Sequence, residues 1–198
     1  MADRRITALR RPWSLSLGLM LAIVGSRATH AELLKNTDFG SGKSHWKGGG
    51  QVVFVKPDGT EGAASDPGAV RALRISLKNK EPQSVYQEFP TKDRPKTLKV
   101  TVQYMASPNF KRTEDESLYS ISWTSGTYFW SAVVVPHADF WVRVSPGWLY
   151  RIGGQASATW QTLQGVWNDA LPVEERAIHF CVPAGEGSLY IKDPVVTP

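Results

Sequence analysis

Seven tryptophans lie beyond residue 31, and five of them, Trp123, Trp130, Trp141, Trp148 and Trp160, crowd into one stretch together with His137, Arg143 and Tyr150. Flat aromatic rings stack on the apolar face of a ring-shaped ligand, while guanidinium and amide groups bond its polar edge, so this composition suits a groove for a polyhydroxylated molecule. Covalent or metal chemistry has less to work with. His45, His137 and His179 are scattered and show no zinc-ligand spacing. There is no G-x-S-x-G elbow and no phosphate loop. The carboxylates, among them Glu88, Asp139, Asp169, Glu174 and Glu175, include no pair that spacing selects for glycoside hydrolysis. His179 and Cys181 share a strand face, but residues two apart on a strand are about 7 Å from each other, too far for a thiol and base pair. They read as a surface histidine and a small strand residue.

The elements that must position these groups are strands, because the dominant local period is two. Leu98, Val100, Val102 and Tyr104 alternate with Lys99, Thr101 and Gln103, and Leu73 to Leu77 repeats the pattern. Further strands are expected at 52–55, 84–89, 118–123, 129–135, 140–144, 148–152, 159–165, 177–182 and 188–195. Turn formers such as Pro57-Asp58-Gly59, Asp66-Pro67-Gly68 and Ser145-Pro146-Gly147 separate them. Many short strands and no amphipathic helix after residue 31 predict an all-β fold, an antiparallel β-sandwich or barrel.

Strand parity assigns the candidate site. With Phe140, Val142 and Val144 facing the core, Trp141 and Arg143 point the other way. Trp141 is therefore expected to be exposed, as the main stacking platform, with Arg143 beside it as a donor. Trp130, Trp148 and Tyr150 are the further candidate rings, and Gln103 lies on the polar face of its strand. Replacing Trp141 with Ala is then expected to remove binding and leave stability nearly unchanged.

Residues 1–31 read as an export signal: Arg4, Arg5, Arg10 and Arg11, an apolar run from Ser14 to Gly25, then Thr29-His30-Ala31 before Glu32. The apolar run is shorter than the roughly 20 residues of a membrane span. Residues 32–198 form the expected single domain, exported to the periplasm or secreted, with no stable membrane insertion after cleavage. Five arginines against Asp3 in the leader carry most of the formal +5 charge, so the remainder is nearly neutral and gives no argument for a nucleic-acid partner. Cys181 is the sole cysteine, so no internal disulfide forms and packing must supply stability.

Two bookends complete the reading. Asn36, Asp38, Phe39 and Trp46 open the chain, and Trp160 to Leu163, Ile178 to Val182 and Leu189 to Val195 close it, with Val85-Tyr86-Gln87-Glu88-Phe89 between. Together these elements resemble a carbohydrate-binding-module-like jelly roll of the galactose-binding-domain-like superfamily. The resemblance implies a jelly-roll topology, places Trp46 and Trp160 in packing roles, and implies a carbohydrate ligand. It also brings in a structural calcium held by carboxylates near the first Phe and in a final Asp pair. Here Gly40 follows Phe39 and Lys192 stands at the first of the pair, leaving Asp38 and Asp193 as the candidate metal ligands. No cofactor is required. The expectation is an exported, non-catalytic carbohydrate-binding β-sandwich. The alternatives are a cell-envelope domain that binds a protein partner, or a small jelly-roll polysaccharide lyase or hydrolase.

Overall fold

The computed structural model of the chain describes residues 32–78, 81–91, 97–113, 123–125, 128–130, 138–145, 151–168 and 175–198. The expected leader lies outside them, as do Trp148 and Tyr150. In chain order the first strands are β1 (Lys47–Gly48), β2 (Gln51–Val55), β3 (Glu61–Gly62), β4 (Val70–Ser76), β5 (Gln83–Pro90), β6 (Thr97–Ala106) and β7 (Lys111–Arg112). There follow β8 (Trp123–Ser125), β9 (Tyr128–Trp130), β10 (Phe140–Ser145), β11 (Arg151–Gly154), β12 (Gln161–Asn168), β13 (Glu175–Val182), β14 (Gly185–Glu186) and β15 (Ser188–Thr197).

Two antiparallel sheets pack face to face. One has five strands in the order β1-β5-β13-β10-β11, the other six in the order β12-β6-β15-β4-β2-β3. The chain crosses between sheets repeatedly, from β4 to β5 to β6 and again from β11 through β12 and β13 to β15, which is the jelly-roll arrangement of an antiparallel β-sandwich. The expected fold class is therefore the observed one.

Alternation explains the core. Leu98, Val100, Val102 and Tyr104 of β6 and Leu73 and Ile75 of β4 turn inward to meet Val85, Phe89, Phe140, Val142, Ile178 and Phe180 of the other sheet. Polar positions on the inner faces are satisfied by main chain. Gln87 faces inward at 2% exposure. Its Oε1 accepts from the Lys35 amide at 2.6 Å and its Nε2 donates to the Lys35 carbonyl at 2.9 Å. A buried amide paired on both ends costs little, and here it fastens the opening segment to β5.

The opening bookend is a packing device. Phe39 and Trp46 are buried, with ring centroids 5.7 Å apart, and Trp46 lies 5.8 Å from Phe180. Asn36 ties the turn between them: its Nδ2 donates to the carbonyls of Gly42 and Ser44, its Oδ1 accepts from the Ser41 amide, and its carbonyl accepts from Trp46 Nε1.

On the five-stranded sheet, Phe140 is paired across from Gly154. The Phe140 ring lies over the glycine, and a Cβ there would run into its ring carbons. Phe140 is fully buried, so the ring has nowhere to retreat. Gly154→Ala should therefore lose about 1–3 kcal/mol by overpacking. A drop in urea midpoint at unchanged m value is the expected result, and an unchanged midpoint would show that the ring shifts freely.

Candidate functional site

With the core faces accounted for, the outer faces of the two sheets hold the remaining side chains. On the five-stranded sheet the register sets Lys47 opposite Tyr86, Tyr86 opposite His179, His179 opposite Arg143, and Arg143 opposite Arg151, one row across all five strands. The next row runs Ser84, Cys181, Trp141, Gly153, and on the other side Glu88 lies opposite Ala177. Trp141 and Arg143 thus point away from the core, as parity requires.

Their exposure differs from expectation. Trp141 is 8% exposed and Arg143 6%, so neither stands open to solvent. The physical reason is that parity fixes only the direction of a side chain, whereas exposure depends on what lies over the face, and here the outward face of β10 and β13 is covered. His179, expected at the surface, is likewise buried at 7%, and Cys181 at 1%. Accessibility instead rises toward β1 and β5, where Lys47 and Glu88 are half-exposed and joined by a 2.6 Å ion pair.

The row has defined electrostatics. Arg143 Nη2 lies 3.3 Å from His179 Nδ1. A guanidinium only donates, so Nδ1 accepts and the imidazole carries its proton on Nε2. Burial, then the neighbouring Arg143 charge, push the His179 pKa down to about 3. Tyr86 stacks on the same imidazole with centroids 5.1 Å apart and planes at 21°. The Lys47 ammonium sits 5.8 Å from the Tyr86 ring centroid. The result is a tyrosine ring stacked on a neutral imidazole, edged by a cation and an anion.

The predicted residues do not form one site. Gln103 belongs to β6, on the outer face of the six-stranded sheet, across the core from Trp141 and Arg143. The backbone of Trp130 lies in β9, paired with β8, in neither large sheet. Trp160, expected in the core, is half-buried and packs on a small satellite cluster of Val55, Ala72, Met105 and Tyr190. That cluster lies on the outer face of the six-stranded sheet. Beside it Arg74 Nη1 grips both oxygens of Glu61 at 2.9 Å, and the Tyr190 hydroxyl donates to Glu61 at 3.2 Å. Burial, then the Glu61 carboxylate, push the Tyr190 pKa up to about 12.

Both calcium candidates accept hydrogen bonds. Asp38 Oδ1 accepts from the Gly40 amide at 2.9 Å, a local turn bond, and Asp193 Oδ2 accepts from Gln103 Nε2 at 3.4 Å. Among the described residues no three His, Cys, Asp or Glu side chains gather.

Tyr86, His179, Lys47 and Glu88 are not singled out by sequence. Their signal is cross-strand register, which joins residues nearly a hundred positions apart and has no local trace.

No protein-family model and no curated protein matches the chain. Among solved structures it is similar to the arabinose-bound MgGH51 α-L-arabinofuranosidase, at 11% identity and TM-score 0.55, over 85% of this chain and 26% of that one. It is also similar to the enzymatically active domain of tailspike protein 4 of bacteriophage CBA120, at 7% identity and TM-score 0.51, over 84% of this chain and 21% of that one. The chain thus spans about a quarter or less of either protein. A further likeness, over 84% of this chain and 99% of the other at 13% identity and TM-score 0.48, is to a family 16 carbohydrate-binding module. At these identities the likeness is one of fold, and the class it defines is the jelly-roll β-sandwich.

Two outcomes follow from this geometry. Because Trp141 is buried, Trp141→Ala should cost roughly 3–5 kcal/mol in denaturant unfolding; a near-zero loss would restore it as an open platform. For His179, the unfolded chain binds a proton below pH 6.5 that the folded chain refuses until about pH 3. Its contribution is therefore complete above pH 6.5 and is lost as pH falls through that window, at up to about 1.4 kcal/mol per unit. His179→Gln should flatten the slope between pH 6.5 and 4.5 relative to the parent. Equal slopes would show that the imidazole protonates in the fold.

Proposed function

We propose that this chain is an exported carbohydrate-binding β-sandwich that performs no chemistry on its ligand and needs no metal. The observation that carries the reading is the Lys47, Tyr86, His179, Arg143 row on the outer face of the five-stranded sheet, with Glu88 beside it. A sugar presents apolar C–H faces and hydroxyl edges that both donate and accept. Tyr86 offers a ring on a rigid strand, the imidazole stacked on it holds that ring in place, and Lys47 and Glu88 lie at the accessible edge as donor and acceptor. The arabinose-bound arabinofuranosidase, a larger protein with this fold as one part, supports a saccharide as the class of ligand.

Binding is favoured over hydrolysis by the carboxylate inventory. Glycosidases ordinarily need two carboxyl groups flanking the bond. Of the carboxylates on this face, Glu88 is already held by the Lys47 ammonium. A neutral imidazole whose Nδ1 already accepts from Arg143 is also poorly placed to take a proton through that nitrogen. The leader-like residues 1–31 support export.

The experiment is retention of purified residues 32–198 on a glycan array with calcium and with chelator, with the same polysaccharides assayed for new chain ends. Retention in both conditions without cleavage is expected, and Tyr86→Ala should weaken it roughly tenfold, about 1.4 kcal/mol. No retention on any glycan would move the face to a protein partner, and new chain ends would make the protein an enzyme.

A further inference from the structure

The outer face of the six-stranded sheet holds a second constellation. Across β12, β6 and β15 the register sets Thr162, Gln103 and Lys192 in one row. One step along, Tyr190 lies opposite Met105, and Trp160, just before β12, packs on this pair. The Lys192 ammonium stands 4.5 Å from the centroid of the Trp160 ring. Gln103 Nε2 donates to Asp193 Oδ2 at 3.4 Å. Trp160, Gln103 and Lys192 are partly open, and Thr162 and Asp193 are exposed.

The backbone at this place is unusual. The pairing of β15 with β6 slips between Lys192 and Val195, and Asp193 sits there with φ +47. Residues with a Cβ seldom hold that conformation, and such departures concentrate where a site needs a side chain aimed. A bulge of this kind re-aims the side chains that precede it. If Trp160 only closed the satellite cluster, any large apolar side chain would serve, and nothing would call for an ammonium over its ring with a hydrogen-bonded amide and carboxylate beside that ammonium's strand position.

We infer that this patch is a second saccharide-binding platform, on the side of the sandwich opposite the first, and that it takes an uncharged pyranose unit of an oligo- or polysaccharide. The apolar sugar face lies on Trp160. Adjacent hydroxyls donate to the Asp193 carboxylate and accept from the Gln103 amide and the Lys192 ammonium, which swings off the ring; an exposed cation–π contact of this kind is worth only about 0.5–1 kcal/mol. Lys192 and Asp193 balance each other in charge, which favours a neutral sugar over a uronate or an amino sugar. The inference goes beyond the proposed function, since it needs no binding at Tyr86. With both faces active, one chain would bridge two glycan strands and gain avidity.

The test is calorimetric titration of residues 32–198 with neutral β-1,4-linked hexasaccharides of glucose, galactose, mannose and xylose, read as stoichiometry, for the parent, Tyr86→Ala, Trp160→Ala and Asp193→Gly. Glycine accepts φ +47 without strain, so Asp193→Gly should melt no lower than the parent. It guards against the failure of Trp160→Ala to fold. Two sites per chain, with one lost in Trp160→Ala and one weakened tenfold or more in Asp193→Gly, is the expected result. A single site removed by Tyr86→Ala and untouched by Asp193→Gly would overturn the second platform and leave the proposed function standing. A single site lost in Asp193→Gly and kept in Tyr86→Ala would support the platform while overturning the first face. Absence of binding in the parent would overturn both.

Discussion

The constraint on which the rest of the structure depends is that one core, enclosed by two sheets, must hold the protein with no cross-link. Cys181 is the sole cysteine and is buried, with no disulfide within the chain. Stability therefore rests on inward side chains such as Leu73, Val102, Phe140 and Phe180, all at or near zero exposure. Because side chains alternate along a strand, committing one face of each strand to that core commits the other face to whatever the sheet meets outside. Ligand contacts can arise only on those outer faces or in the turns.

The two outer faces have met that condition differently. The centre of the five-stranded sheet is dry: Trp141, Arg143, His179 and Cys181 all lie below a tenth exposed. Burial in such surroundings, and then the Arg143 charge beside it, disfavour the imidazolium, which is why His179 gives up its charge. The six-stranded sheet closes a small apolar cluster under Trp160 and leaves Lys99, Gln103, Thr162 and Gln164 in contact with water. One face is thus rigid and graded in access, the other open and balanced in charge. A sandwich that binds on both needs no hinge, since each site rides on hydrogen-bonded strands.

Much of this architecture is legible in the amino-acid sequence. The strands around Val100, Ile75, Val142 and Ile178 and their inward residues follow from period two alone, and so does the outward direction of Trp141 and Arg143; the sandwich they build follows from the resemblance of the bookends. Direction is a local property; exposure is not. Whether an outward side chain sees water depends on what lies over it: β6 and β10 are both inner strands, yet Lys99 is exposed and Trp141 is buried. The same limit hides the Tyr86 and His179 stack and separates Gln103 from Arg143. Trp160 departs from its expected core position for a related reason: it precedes β12, and one residue of phase decides between core and outer face.

The motif that most strongly suggests a family also proves to be architecture. Asn36 spends its side chain and carbonyl on the turn that lets Phe39 and Trp46 reach the core, and Phe39 takes a φ of +55 to do so. An aromatic residue holds that conformation only where packing repays it, and Phe39 is 1% exposed against Trp46. Gln87, the polar residue of the central motif, likewise clasps the main chain of Lys35. Motif residues engaged in this way are constrained by the closure of the sandwich whatever it binds. Under the proposed function and the second platform inferred beside it, ligand choice lies with side chains such as Tyr86, Lys192 and Asp193 that the closure does not use.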